Sequence, residues 1–215
     1  MPSKLALDMI RESGVVAILR AKSSDQLIDA ARAVLAGGVR AIEVTMTTPN
    51  ALDVIHQATS QLGSEVLFGV GSVLDAETAR VAILAGAKFV ICPTLNLKTI
   101  ELCKRYSIPV MPGAYTPTEI LTAWEAGADI VKVFPASIGG ADYIKAIKGP
   151  LPHIHLTAVG GINLNNTADF IRAGVEAVGV GGELVSQKLL DGRDFAAITE
   201  LARSFRLRVD EGRKT

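Results

Sequence analysis

The sequence predicts an α/β fold, a single (β/α)8 barrel of the TIM type over residues 1–215, and three observations predict it. Eight short apolar runs rich in valine and isoleucine recur along the chain. The segments between them carry apolar residues at helical spacing. One junction, a helix ending on Ala-Gly with a strand two or three residues later, occurs four times.

In order, the strands read "VVAILR" (15–20), "VRAIEVT" (39–45), "VLFGVG" (66–71), "KFVICP" (88–93), "IPVMPG" (108–113), "IVKVFP" (130–135), "IHLTAVGG" (154–161) and "AVGVGG" (177–182). Most lack the polar alternation of a strand with one wet face, so they read as strands buried on both sides. Between the first two, "SDQLIDAARAVLAGG" opens on a capping serine and closes on glycine; between the third and fourth, "DAETARVAILAGA" opens on aspartate and closes the same way. The repeated junction stands at Gly37, Gly86, Gly127 and Gly174, before the even-numbered strands. Its period of roughly 41 to 49 residues is two strand-helix units, and eight such units in 215 residues close most simply into a small barrel. An open doubly wound sheet is the alternative. No linker or low-complexity tract divides the chain.

Composition narrows the function. Hydrophobic residues make up 49% and charged residues 20%, enough for one domain with a sizeable core. Lysine plus arginine equals aspartate plus glutamate, 22 each, and no basic run is interleaved with aromatics, so neither nucleic acid nor an anionic membrane is expected as a partner. The amphipathic N-terminus "MPSKLALDMIRESG" lacks the apolar stretch of a secretory signal, and a cytoplasmic location is expected. Two cysteines, Cys92 and Cys103, suit a reducing compartment and are too few for a zinc site built of cysteines alone.

In a barrel of this kind the chemistry sits at the C-terminal ends of the strands. Three charged residues fall there: Arg20, Glu43 and Lys132. Lys132 lies inside the apolar stretch "DIVKVFPAS", and Glu43 and Lys132, both near the ends of even-numbered strands, can face the same interior layer. Two readings stand. The pair is a structural ion pair, since an unpaired buried ion costs several kcal/mol. Otherwise Lys132 is a nucleophile, its amine freed near neutral pH because desolvation disfavours the ammonium.

A second constellation is "AVGGIN" with "GVGGEL". Gly160, Gly161, Gly181 and Gly182 let backbone N–H groups converge on an oxyanion, and a short helix opening near Glu183 would add its positive end. The Glu183 carboxylate must then point away from the anion. Tight turns without a ligand are the bland alternative. His153 and His155 precede the seventh strand and so fall at the opposite end of the barrel; His56 sits on a helix. Cys92 reaches the mouth, yet no histidine there is placed to activate it.

These motifs resemble a known family. From "GVVAILR" through "GGVRAIEVT", "FGVGSVL", "ICP", "PVMPGAYTPTE", "VKVFPAS", "AVGGI" and "GVGGELV", nearly the whole chain is similar to the 2-keto-3-deoxy-6-phosphogluconate (KDPG) and 4-hydroxy-2-oxoglutarate (KHG) aldolases. The resemblance implies a metal-independent class I pyruvate aldolase without cofactor, assembled as a homotrimer, acting on a small phosphorylated keto acid. It implies a Schiff base on Lys132, proton relay by Glu43, carboxylate binding by Arg20, Ser72 and Pro93, and phosphate binding by the amides of Gly160, Gly161, Gly181, Gly182 and Glu183. Two positions depart from the phosphogluconate pattern: Thr47 stands in place of an arginine and Val159 in place of a threonine. With "AILR", "TAVGG" and the acidic residue after the second glycine pair, they look closer to the 6-phosphogalactonate branch. A cofactor-free phosphosugar isomerase or epimerase on the same barrel is the competing function.

Overall fold

The computed structural model describes residues 2–20 and 23–214, with the backbone alone for Pro2, Ser3 and Ser24. A first helix, α1 (Pro2–Ser13), precedes β1 (Val15–Leu19), and the chain then alternates: α2 (Ser24–Ala36), β2 (Ala41–Thr45), α3 (Ala51–Leu62), β3 (Leu67–Gly71), α4 (Ala76–Leu84), β4 (Val90–Ile91) and α5 (Leu97–Arg105). The second half holds β5 (Val110–Met111), β6 (Gly113–Ala114), α6 (Pro117–Glu125), β7 (Val131–Val133), α7 (Gly140–Lys148), β8 (Leu156–Val159), α8 (Thr167–Arg172), β9 (Ala177–Val180), α9 (Gln187–Asp191) and α10 (Phe195–Arg213).

Six helices, α2, α4, α5, α6, α9 and α10, start on a side-chain cap. Ser23 Oγ accepts from the Gln26 N–H at 3.3 Å. The Asp75 carboxylate accepts from the Thr78 N–H at 2.6 Å. On α6, Thr116 and Glu119 form a reciprocal capping box. At the repeated junction Gly86, Gly127 and Gly174 all take left-handed backbone, φ +114°, +97° and +102°, which reverses the chain into the next strand at little cost only for glycine.

The strand order is β5-β4-β3-β2-β1-β9-β8-β7-β6, and all pairings are parallel. Its two ends, β5 and β6, are the two halves of the expected fifth strand, joined through Pro112. That is a barrel and not an open sheet. One expected strand has become two because Pro112 has no N–H to give to a ladder. Each half pairs with a different neighbour: Met111 O accepts from Cys92 N–H at 3.0 Å, while Pro112 O accepts from Lys132 N–H at 2.9 Å and Ala114 O from Phe134 N–H at 3.1 Å.

Two apolar layers follow. The larger lies between sheet and helices. The smaller fills the lower barrel, where Phe89, Ile91, Met111 and Ile130 meet Ala6 and Ile10 of α1, so that this helix plugs the floor. Burying each of the large side chains contributes roughly 1.5–3 kcal/mol. The upper barrel is lined instead by Glu43, Lys132 and Thr157, all buried. Among the described residues no helix is long and apolar enough to cross a membrane.

At the seam, a Cβ on Gly113 would stand 2.3 Å from the carbonyl of Pro93, a backbone group that cannot swing aside. Gly113→Ala should therefore destabilise the fold by about 1–3 kcal/mol, read as a lower urea midpoint with an unchanged m-value.

Candidate active site at the C-terminal mouth

Alternation along each strand decides what faces inward. Ala41, Glu43 and Thr45 share one side of β2, and Ile130 and Lys132 share one side of the segment leading through β7. Glu43 pairs in register with Ile18 of β1 and Gly69 of β3. Lys132 pairs with Gly113 on one side and Thr157 on the other. Both charged side chains are thus held by ladder hydrogen bonds of central strands, at 2% and 5% exposure.

They are coupled but not paired. Among the described residues neither has an opposite charge within 4.0 Å, and Glu43 Oε2 is buried without a hydrogen-bond partner. The ion-pair reading of Lys132 therefore fails in its contact form. Burial pushes the Glu43 carboxyl above its ordinary 4.5, although the charges of Lys132 and Arg20 pull it down. Burial likewise holds Lys132 below its ordinary 10.5; Glu43 opposes that and Arg20 adds to it. Each group is driven toward its neutral form, an amine beside a carboxylic acid. The Lys132 amine also lies 4.8 Å from the centroid of the Phe134 ring.

Arg20 follows β1 and is exposed. Its Nη1 lies 3.6 Å from where a Cβ on Gly181 would stand, so the guanidinium rests against the second glycine turn. Ser72 follows β3 in left-handed backbone, φ +59°, and is half-buried, as is Pro93 after β4. Thr47 is exposed, its hydroxyl 2.9 Å from that of buried Thr45.

Gly160 and Gly161 are left-handed, φ +97° and +73°; at Gly161 a Cβ would also meet the Ser137 Cβ at 2.5 Å. After β9, the N–H groups of Leu184 and Val185 both bond Gly181 O at 2.9 Å. The N–H groups of Gly161, Gly182 and Glu183, all exposed residues, have no partner among the described residues. One expectation is corrected here. No helix opens near Glu183: residues 181–185 form a turn, and α9 starts at Gln187 because Ser186 caps it, its Oγ accepting from Leu189 N–H. α9 has five residues and starts four positions after Glu183.

Two residues at the mouth escaped the sequence reading as functional candidates. Phe134 stands two positions after Lys132 and is 37% exposed; its ring covers the amine and lies 3.4 Å from where a Cβ on Gly160 would stand. Thr157 lies beside Lys132 in the ladder and donates to Ala177 O at 2.8 Å. The signal for both was period-two spacing, Phe134 from Lys132 and Thr157 from Val159.

The remaining candidates lie elsewhere or are inert. Burial pushes the Cys92 thiol up to about 12, so no thiolate forms there near neutral pH. His155 Nδ1 is 2.5 Å from Glu176 Oε1, and Glu176 pairs with Arg11 at the end of α1, at the closed end of the barrel. His56 is exposed on α3. Among the described residues no three His, Cys, Asp or Glu gather as a metal site.

The chain is similar to known proteins over most of its length. Residues 7–201 match the family profile described as KDPG and KHG aldolase. A 2-dehydro-3-deoxy-phosphogluconate aldolase of Treponema pallidum is 36% identical, covering 92% of each chain. A 2-dehydro-3-deoxy-6-phosphogalactonate aldolase of Escherichia coli K12 is 35% identical over 79% of this chain and 83% of its own. Among solved structures, a KDPG aldolase of Legionella pneumophila, with pyruvate captured as a covalent carbinolamine, superposes with a TM-score of 0.87 at 28% identity, covering 93% and 97% of the chains.

The raised proton affinity of Glu43 has a consequence for stability. Its ionised form is a cost carried by the folded state above the raised value and absent below 4.5. Glu43→Gln, neutral at every pH, should unfold at a higher urea midpoint than the natural chain at neutral to alkaline pH. The two should converge below pH 4.5.

Proposed function

The chain belongs to the KDPG and KHG aldolase family, and on that premise we propose that it cleaves a 2-keto-3-deoxy-6-phospho sugar acid, of the phosphogluconate or phosphogalactonate type, to pyruvate and glyceraldehyde 3-phosphate through an imine on Lys132. The observation that carries the reading is a buried lysine at the mouth of the barrel, without an ion-pair partner among the described residues and with its ammonium form disfavoured by burial.

The neutral amine of Lys132 adds to the C2 keto carbon and gives a carbinolamine, whose hydroxyl takes the proton of the neutral Glu43 carboxyl and leaves as water, so that a protonated imine and an ionised Glu43 remain. That imine is the electron sink for the C3–C4 bond. Glu43, ionised for this step, takes the C4 hydroxyl proton as the bond breaks, directly or through one water, and the aldehyde departs. The electron pair left on C3 forms an enamine. Glu43 returns its proton to C3, and hydrolysis of the imine releases pyruvate, restores the neutral amine and gives the remaining proton back to Glu43. A carboxyl poised above its ordinary value suits both directions of transfer. With 4-hydroxy-2-oxoglutarate the same steps yield pyruvate and glyoxylate.

At the pyruvate end, Arg20 takes the carboxylate through a two-bond fork, with Ser72 and Pro93 shaping the same end. At the distal end, the amides around Gly160, Gly161, Gly181, Gly182 and Glu183 hold the phosphate; the unpartnered N–H groups at three of them support this. Thr47, its hydroxyl tied to Thr45, stands where the phosphogluconate pattern has an arginine, which favours the galactonate type. The chain forms one domain, works in the cytoplasm and assembles as a homotrimer. Leu74, Leu84 and Leu97, on and beside α4 and α5, are exposed. Such apolar side chains support burial against copies of the chain.

Incubation with pyruvate and borohydride should add one reduced pyruvyl group, located by peptide mass spectrometry on Lys132, and Lys132→Ala should abolish both labelling and pyruvate release. Labelling at another lysine, or no labelling with full turnover, points to an isomerase or another chemistry. Arg20→Lys should lower kcat/KM at least about tenfold for every keto acid tested, phosphorylated or not, because each charge-assisted bond of the fork contributes roughly 1.5–3 kcal/mol. Loss confined to phosphorylated substrates would place Arg20 at the distal end instead.

A further inference from the structure

We propose that Gly71 is the positioning residue that sets where the Glu43 carboxyl points. The inference rests on the role given to Glu43 above and adds a residue that touches neither substrate nor amine. Gly71 closes β3 and stands in register with Thr45 of β2, two positions up the ladder from the Glu43–Gly69 pair. A Cβ on Gly71 would lie 1.6 Å from Glu43 Oε1, 2.2 Å from Cδ and 2.5 Å from Cγ, and these are its three nearest atoms. The outer half of the glutamate side chain occupies the space that any other residue would fill.

Backbone conformation does not explain the glycine. Gly71 is absent from the positive-φ positions, so an L-residue fits its backbone without strain, and the obstacle to a side chain is Glu43 itself. The carboxyl has no equivalent place lower down. A Cβ on Gly69, the next inward position of β3, would meet the Phe89 ring at 2.4 Å, so that space is already filled. Displaced from Gly71, the carboxyl must turn upward into the mouth, away from the depth at which it faces Lys132. Among the described residues no hydrogen bond holds Oε2, so the room at Gly71 is what the packing supplies to fix the rotamer.

The test is a double-mutant cycle on pyruvate release with Gly71→Ala, Glu43→Ala and the pair. Glu43→Ala should lower kcat by roughly 10²–10⁴-fold. Gly71→Ala should lower it by about 10²-fold, the scale of a roughly 1 Å misplacement. Its acid limb should move to lower pH, because the displaced carboxyl leaves the dry pocket. Added to Glu43→Ala, the alanine at 71 should change kcat by less than about twofold, since there is no carboxyl left to misplace. If Gly71→Ala alone fails to fold, recovery of the fold in the double variant supports the same contact. Independent losses in the double variant, a double variant that also fails to fold, or natural kcat and acid limb in Gly71→Ala overturn the assignment. An impaired Glu43→Ala beside an unimpaired Gly71→Ala overturns the positioning role alone, whereas full activity in Glu43→Ala overturns both roles.

Discussion

Two ionisable groups kept from water and from each other's contact set the terms for this molecule. A buried ammonium and a buried carboxylate at bonding distance would neutralise one another electrostatically and stay charged. Held in one layer without touching, Glu43 and Lys132 are each pushed toward the uncharged form. That requires a wall that cannot relax around them, and the closed parallel barrel is such a wall. Lys132 is fixed by Gly113 and Thr157 on its two flanks, Glu43 by Ile18 and Gly69.

Much of this was legible in the sequence because the signals were local or periodic. Eight apolar runs appeared where strands formed, and Lys132 and Glu43 stood out as charges inside them. Closure through a split fifth strand was not legible, although the cause, a proline without an N–H, was in plain view in "VMPG". Proline shows that a ladder breaks; it does not show that each half pairs with a different neighbour. The supposed helix at Glu183 failed for a related reason. Glycine pairs look like the entrance to a helix, but Ser186 is the better cap and moved the start to Gln187. Whether Glu43 and Lys132 touch could not be read from spacing, because side-chain conformation depends on which neighbours lack a Cβ.

Glycine does two separate jobs here. On the helix side of the sheet, at Gly86, Gly127 and Gly174, it supplies left-handed backbone at a recurring bend. Inside the barrel, at Gly69, Gly71 and Gly113, it supplies absence: room for a ring, a carboxyl and a neighbouring carbonyl. The first kind is detectable as a repeat in sequence. The second reads as ordinary strand variation, so the volume at the mouth is hard to see before the fold is known.

The plug formed by α1 makes the barrel interior a well with one opening. On the mechanism proposed above, a substrate that enters keto end first and bonds to Lys132 at depth cannot be overtaken by anything beneath it. With the phosphate held at the rim, as proposed, the fragment that bears it would have to diffuse out before the pyruvyl fragment could follow. In the direction of synthesis the sequence reverses, and the aldehyde finds its place only after pyruvate has been admitted. Blockage at the rim would then trap the pyruvyl half on the enzyme, so that the floor helix, far from any reacting atom, imposes an order on traffic through the site.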